Sequence, residues 1–165
     1  MSADKKKGAA DNAPVRVDPT KIHILRVNMV QGKLETTDEY LSDPKEPEGV
    51  RFGFGHRSGI DKERSQIYTR LFIDMEAQDG EGEPLGVKAA YVFDFELKVD
   101  NLAEFERKAE DGTVVMDAML ATTLMGILFG TARGMVLERT KGTYLNGVIL
   151  PVIPPRELVN SWREE

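Results

Sequence analysis

His23 and His56 are the chain's whole stock of imidazole, and it contains no cysteine. Without a thiol there is no thiolate nucleophile, no thiolate metal site and no disulfide framework. The two histidines fall in none of the HxH, HxxxH or HExxH spacings that bring ring nitrogens to one ion, so no metal is expected. Each reads as a strand-edge or surface residue. The stretch GFGHRSG, Gly53 to Gly59, imitates a dinucleotide loop, but Ser58 stands where the third glycine belongs and no strand-then-helix context surrounds it. Ser58, Ser65 and Ser161 lie outside any GxSxG elbow. The carboxylates Asp74 with Glu76 and Asp94 with Glu96 alternate along strand-like segments, where such acids are solvated charges that keep a sheet soluble or, as four on one face, a docking patch. No catalytic residue, cofactor or metal is therefore expected, and the chain reads as a non-enzyme.

Charge narrows the partners further. The 165 residues carry a net charge of -6, with a pI near 5.1, which argues against nucleic acid and anionic membranes, since neither tolerates acids offsetting the basic side chains. The opening MSADKKKGAADNAPVRVDP has a lysine triplet with no apolar run after it, unlike a secretory signal, so a cytoplasmic location is expected. At 18.4 kDa the chain suits one domain. Residues 1–18 read as a flexible tail and 19–165 as the folded unit. Seven Met and seven Phe supply soft and bulky apolar surface for a core or for an adaptable binding face.

The elements that would position these residues follow from periodicity. Ile22 to Val30 is apolar without a clean period and reads as a strand; Gly32 to Gly49, with Pro44 and Pro47, reads as a long loop; Val50 to Ser58 reads as a short strand with Phe52 and Phe54 on one face. In Gln66 to Gln78 the odd positions are mainly apolar and the even ones mostly polar, Arg70, Asp74 and Glu76 among them; in Val87 to Val99 the odd positions are all apolar and the even ones include Lys88, Asp94, Glu96 and Lys98. That is period two, with one wet face. The turn-forming Asp79 to Pro84 joins them as an antiparallel hairpin. Asn101, with Glu104 three residues on, opens a short helical turn. A long helix is expected over Val114 to Thr140. Pro151, Pro154 and Pro155 then force extended backbone, and Arg156 to Glu165 has Leu158, Val159 and Trp162 at helical spacing. The fold class is α+β: a four-stranded antiparallel sheet with the long helix packed on one face and a shorter C-terminal helix after a Pro-rich crossover.

Fifteen uncharged residues, AMLATTLMGILFGTA, separate Asp117 from Arg133, fewer than the ~20 a membrane span needs. The helix is apolar on more sides than one sheet covers, because Met119, Phe129 and Val136 project away from the stripe of Met116, Leu120, Leu124, Ile127 and Leu128. The spare face must meet another chain, a ligand or the terminal helix. Gly126, Gly130 and Gly134, four apart, form a flat ridge for either a helix–helix dimer contact or tight packing on the chain's own sheet.

The run Ile127, Leu128, Phe129, Gly130, Thr131, Ala132, Arg133, followed by Leu150 and Pro151 in a proline-rich crossover and a terminal amphipathic helix, resembles the protein-export chaperone family SecB. The order of four strands, long helix, crossover and second helix matches from about residue 20 to 165. The chain departs from the family pattern at Leu124, Met125 and Gly130. The resemblance implies a homo-oligomer, a tetramer built as a dimer of dimers with the long helices packed between subunits; Met119, Gly126, Gly130 and Gly134 are the candidate interface residues. It implies an ATP-independent holdase that binds unfolded polypeptides in hydrophobic grooves and delivers them to the SecA motor, without membrane insertion. Phe52, Phe54, Met125, Leu128, Phe129, Leu150, Val152, Ile153 and Trp162 are the groove candidates, with ordinary core as the alternative for each. Asp74, Glu76, Asp94 and Glu96 are the candidate motor-docking patch. Two other functions remain open: a dedicated partner of one client, such as a toxin-neutralising antitoxin, and a small-ligand or acyl-thioester enzyme on a helix-and-sheet dimer.

Overall fold

A computed structural model describes residues 15–162. Most of the expected tail and the last three residues lie outside that range; within it, Val15 and Val17 pack against the core. Four strands, β1 (Ile22–Thr36), β2 (Gly49–Asp61), β3 (Gln66–Gln78) and β4 (Pro84–Val99), form one antiparallel sheet in the order β1-β4-β3-β2. A short helix α1 (Asp38–Ser42) lies between β1 and β2.

The β3–β4 hairpin is as expected. Leu71 sits opposite Phe93 and Ile73 opposite Tyr91, so the odd residues of both strands share the buried face. β1 corrects the expected loop, continuing six residues past Val30. Its missing period has a cause: register shifts between Ile24 and Arg26 and between Met29 and Gln31 insert extra residues at Leu25 and Val30. Each bulge flips the alternation, so Ile22, Ile24, Val27, Met29, Gly32 and Leu34 all face the core side. The loop reading also missed α1, whose Thr37 cap accepts the Tyr40 N–H and whose Tyr40 ring is buried. β2 runs three residues beyond Ser58, which adds Ile60 to its inner face.

The long helix α2 spans Ala118–Arg139 rather than starting at Val114. Val114–Met116 instead pair as a short strand β6 with β5 (Glu106–Lys108), and Asp117 starts the helix by accepting the Met119 N–H at 2.8 Å. Leu120, Leu124, Leu128, Ala132 and Val136 are buried in a row four residues apart, with Met125 and Phe129 beside them, which corrects the reading that Val136 and Phe129 project away from that stripe; of the three residues expected off it only Met119 is exposed. At 22 residues the helix is long and apolar enough to cross a membrane, so length alone does not decide the matter; that buried row makes it a core helix in this fold. The last helix α3 covers only Pro155–Val159, with proline in its first turn as expected. Beyond it the chain turns: the Ser161 N–H and hydroxyl both donate to the Leu158 carbonyl, and the Ser161 carbonyl accepts from the His56 N–H of β2.

Candidate functional site

The inner face of β2, the start of β3, the first half of α2 and the C-terminal segment enclose an apolar groove of about 410 Å³. Ile60, Ile67, Leu124, Met125 and Leu128 form its walls, Met116 and Val115 of β6 close one side, and Val159 and Trp162 the other. Its mouth is apolar too, because Ile60, Val115 and Trp162 are exposed. Exposed apolar side chains around an apolar cavity make this the candidate binding surface.

His56 is the polar anchor of this groove; it lies on the edge strand β2, as the strand-edge reading has it, but not at the surface. It is buried. Its Nε2 pairs with the Val159 carbonyl at 2.8 Å and its Nδ1 with Ser58 Oγ at 3.3 Å; as the carbonyl can only accept, Nε2 is the donor of that bond. Ser58 Oγ also lies 2.9 Å from Thr69 Oγ1. The imidazole thus braces the sheet against the C-terminal segment, with a backbone carbonyl where a catalytic base would need an orienting acid. His23, by contrast, is a surface residue paired with Asp100 at 2.9 Å, and that bond holds the Asp100 carboxyl below its usual range. Among the described residues no group of three or more His, Asp or Glu is placed to hold a metal ion.

Of the nine groove candidates, Met125, Leu128 and Trp162 line the cavity. Phe52 and Phe54, on the inner face of β2, form an aromatic band with Phe129 of α2, Phe54 standing edge-on to Phe129 at 5.3 Å. Leu150 is buried core, Ile153 is half-buried, and Val152 is 84% exposed. Arg133 ties this crossover down: its Nη2 donates to the Pro151 carbonyl at 3.1 Å while its guanidinium stands 5.5 Å over the Phe129 ring. Sequence reasoning missed Ile60, Ile67, Leu124, Val115, Met116 and His56. The signal for β2 was present, since residues 50, 52, 54, 56, 58 and 60 alternate onto one face.

The glycine ridge points away from the sheet. A methyl group added at Gly130 or Gly134 meets nothing within 4 Å, and at Gly126 it only touches Pro155 at 3.4 Å, so packing on the chain's own sheet does not require these glycines. Met119, on the same helix, is 62% exposed.

The acids occupy the outer sheet face among matching cations. Arg70 grips Asp94 with two hydrogen bonds of 2.6 and 2.7 Å, Arg26 reaches Glu96 at 2.9 Å, and Glu76 lies between Lys88 and Arg51. Glu76 is buried rather than exposed as the alternation implied, because the long side chains on either side cover it. The Lys88 ammonium, hydrogen-bonded to Glu76, outweighs burial and holds its carboxyl below the ordinary 4.5, with Arg51 adding to the effect. A carboxyl lowered on folding stabilises the fold above its unfolded pKa, and that stabilisation is lost as pH falls through the folded value. Urea midpoints measured from pH 6 down to 3 are therefore expected to fall more steeply below pH ~4.5 in the parent than in Glu76→Gln; parallel curves would show that Glu76 contributes nothing.

No family model and no curated protein matches this chain. Among solved structures, the Mycobacterium tuberculosis SecB-like chaperone Rv1957, in complex with a ChAD peptide from the Rv1956 HigA1 antitoxin, superposes with a TM-score of 0.52 at 16% identity, over 81% of this chain and 91% of that one. A protein of unknown function from Streptococcus agalactiae aligns at a TM-score of 0.37 and 11% identity, covering 79% of this chain and 97% of that one. With its four-stranded antiparallel sheet, long helix, proline-rich crossover and short terminal helix, the chain has the fold of a SecB-like chaperone.

Proposed function

We propose that this protein is a chaperone that holds extended apolar segments of client polypeptides in the groove between β2, α2 and the C-terminal segment, without nucleotide. The groove carries the reading: about 410 Å³ of apolar space with a flexible Met125 in its wall and an exposed apolar rim. Such surfaces repack around varied side chains, and the free edge of β2 offers main-chain hydrogen bonds that do not depend on client sequence. Between a general export holdase and a dedicated partner, we favour the dedicated one, on the likeness to a SecB-like chaperone solved with a peptide of an antitoxin. Delivery to the SecA motor is the less favoured form, because Glu76, Asp94 and Glu96 of the proposed docking patch are engaged by Lys88, Arg51, Arg70 and Arg26.

The test is aggregation of chemically unfolded proteins diluted into buffer without ATP. A dedicated chaperone suppresses aggregation of its own client at near-stoichiometric ratio and leaves unrelated proteins to aggregate. Suppression across several unrelated precursors would support the export form, and none with any client, an antitoxin included, would overturn the chaperone reading.

The working unit we propose is a cytoplasmic homo-oligomer, built as a dimer of dimers, in which the open ridge of α2 meets another copy. Gly130→Leu adds bulk where the chain itself has room, so it is expected to lower the sedimenting mass towards 18.4 kDa while leaving the fold intact. An unchanged oligomer would place the interface elsewhere.

A further inference from the structure

The chain itself occupies part of the edge that a client strand would use. β2 ends the sheet, so among the described residues no strand of the sheet pairs with its outer side. In an antiparallel pair alternate residues turn their N–H and C=O groups to opposite edges. The His56 N–H points to the free edge, where it donates to the Ser161 carbonyl at 3.1 Å in a one-residue parallel bridge between His56 and Trp162. Phe52, Phe54, Ser58 and Ile60 share that backbone direction. Two further contacts hold the segment: the His56 ring bonds the Val159 carbonyl, and Trp162 packs edge-on against that ring at 5.5 Å. The attachment is slight for a strand, one bridge carrying an indole that stays 55% exposed. Yet Val159 and Trp162 form one wall of the apolar groove.

We propose that Asn160–Trp162 is a self-supplied strap: it takes the client's place on the free edge of β2 and at the mouth of the groove, and a client segment must displace it to pair with β2. The inference rests on the chaperone reading and adds its regulation. The strap lowers apparent affinity for every client by the cost of releasing it, and so filters out segments too short or too polar to compete with it. One bridge with a side-chain hydrogen bond and a ring contact corresponds to about tenfold in affinity.

The experiment uses the full chain and a labelled, tryptophan-free peptide of about fifteen residues alternating Leu or Val with Ser or Thr. Trp162→Ala is expected to bind this probe about tenfold more tightly than the parent. Because the chain has no cysteine, His56→Cys with Trp162→Cys creates a lock at a bridged pair, where the backbones are close enough for a disulfide. Oxidised, this double variant is expected to bind at least tenfold more weakly than the same sample reduced. Weaker binding by Trp162→Ala would make the indole a client contact and overturn the strap, as would equal affinity of the oxidised and reduced lock. Failure of the parent and both variants to bind the probe, together with failure to suppress any aggregation, overturns the chaperone reading and the strap with it. Binding by Trp162→Ala and by the reduced lock, with none by the parent or the oxidised lock, supports the strap in its strongest form.

Discussion

Truncating Phe129 to alanine is expected to cost the fold about 3–5 kcal/mol, read as a lower urea midpoint at unchanged slope. The ring is 3% exposed, stands edge-on to Phe54 at 5.3 Å and lies under the Arg133 guanidinium, which in turn holds the crossover through Pro151. Removing it leaves a void between α2 and β2 and takes away the surface on which Arg133 rests. The neighbouring helix positions Met125, Leu128 and Ala132 are themselves buried, so little can move in to fill the space. Val152 is the contrast. At 84% exposure, its change to serine is expected to shift stability by no more than ~0.5 kcal/mol, and any effect it has must appear in client binding. A loss below ~1 kcal/mol for Phe129→Ala would show that the aromatic band is open surface rather than core.

Phe129 and Val152 also show what the sequence does and does not carry. Both are large apolar residues near the helix-and-crossover motif, and nothing local distinguishes the buried one from the exposed one; that distinction is made by Phe54, which approaches from 75 residues away. Where one face of an element is wet, the pattern is legible: β3 and β4 alternate cleanly because charged residues such as Arg70 and Asp94 mark the outer face. β1 hides its pattern because Leu25 and Val30 each reset the alternation, and neither is the glycine that can mark a bulge in a sequence. The start of α2 was misplaced for a related reason. Val114, Val115 and Met116 continue the apolar run of the helix, and only their pairing with Glu106–Lys108 makes them a strand. The groove was half legible. Its helix residues Met125 and Leu128 follow from the apolar excess of α2, whereas His56 gains its role from a hydrogen bond to Val159, 103 residues further along the chain.

The second large effect is expected from Ala121→Glu, which should weaken binding of an apolar client peptide by about 2 kcal/mol, or about 30-fold, in a titration at neutral pH. Ala121 lies in the first turn of α2, four residues after its Asp117 cap, and its side chain faces the groove. The helix itself tolerates the change, because a carboxylate near a helix N-terminus interacts favourably with the aligned peptide dipoles. Ala121 is only half-buried, so in the free protein the new carboxylate reaches water and the unfolding midpoint is expected to stay close to that of the parent. A client segment laid into the groove takes that water away. The carboxylate must then be desolvated among Leu124, Met125, Ile60 and Val115, none of which can hydrogen-bond it through its side chain. Ala121→Gln has nearly the same shape without the charge and is expected to lose less than half as much binding free energy, which separates desolvation from crowding. Unchanged affinity in both variants, with the fold intact, would mean that clients bind elsewhere on the molecule.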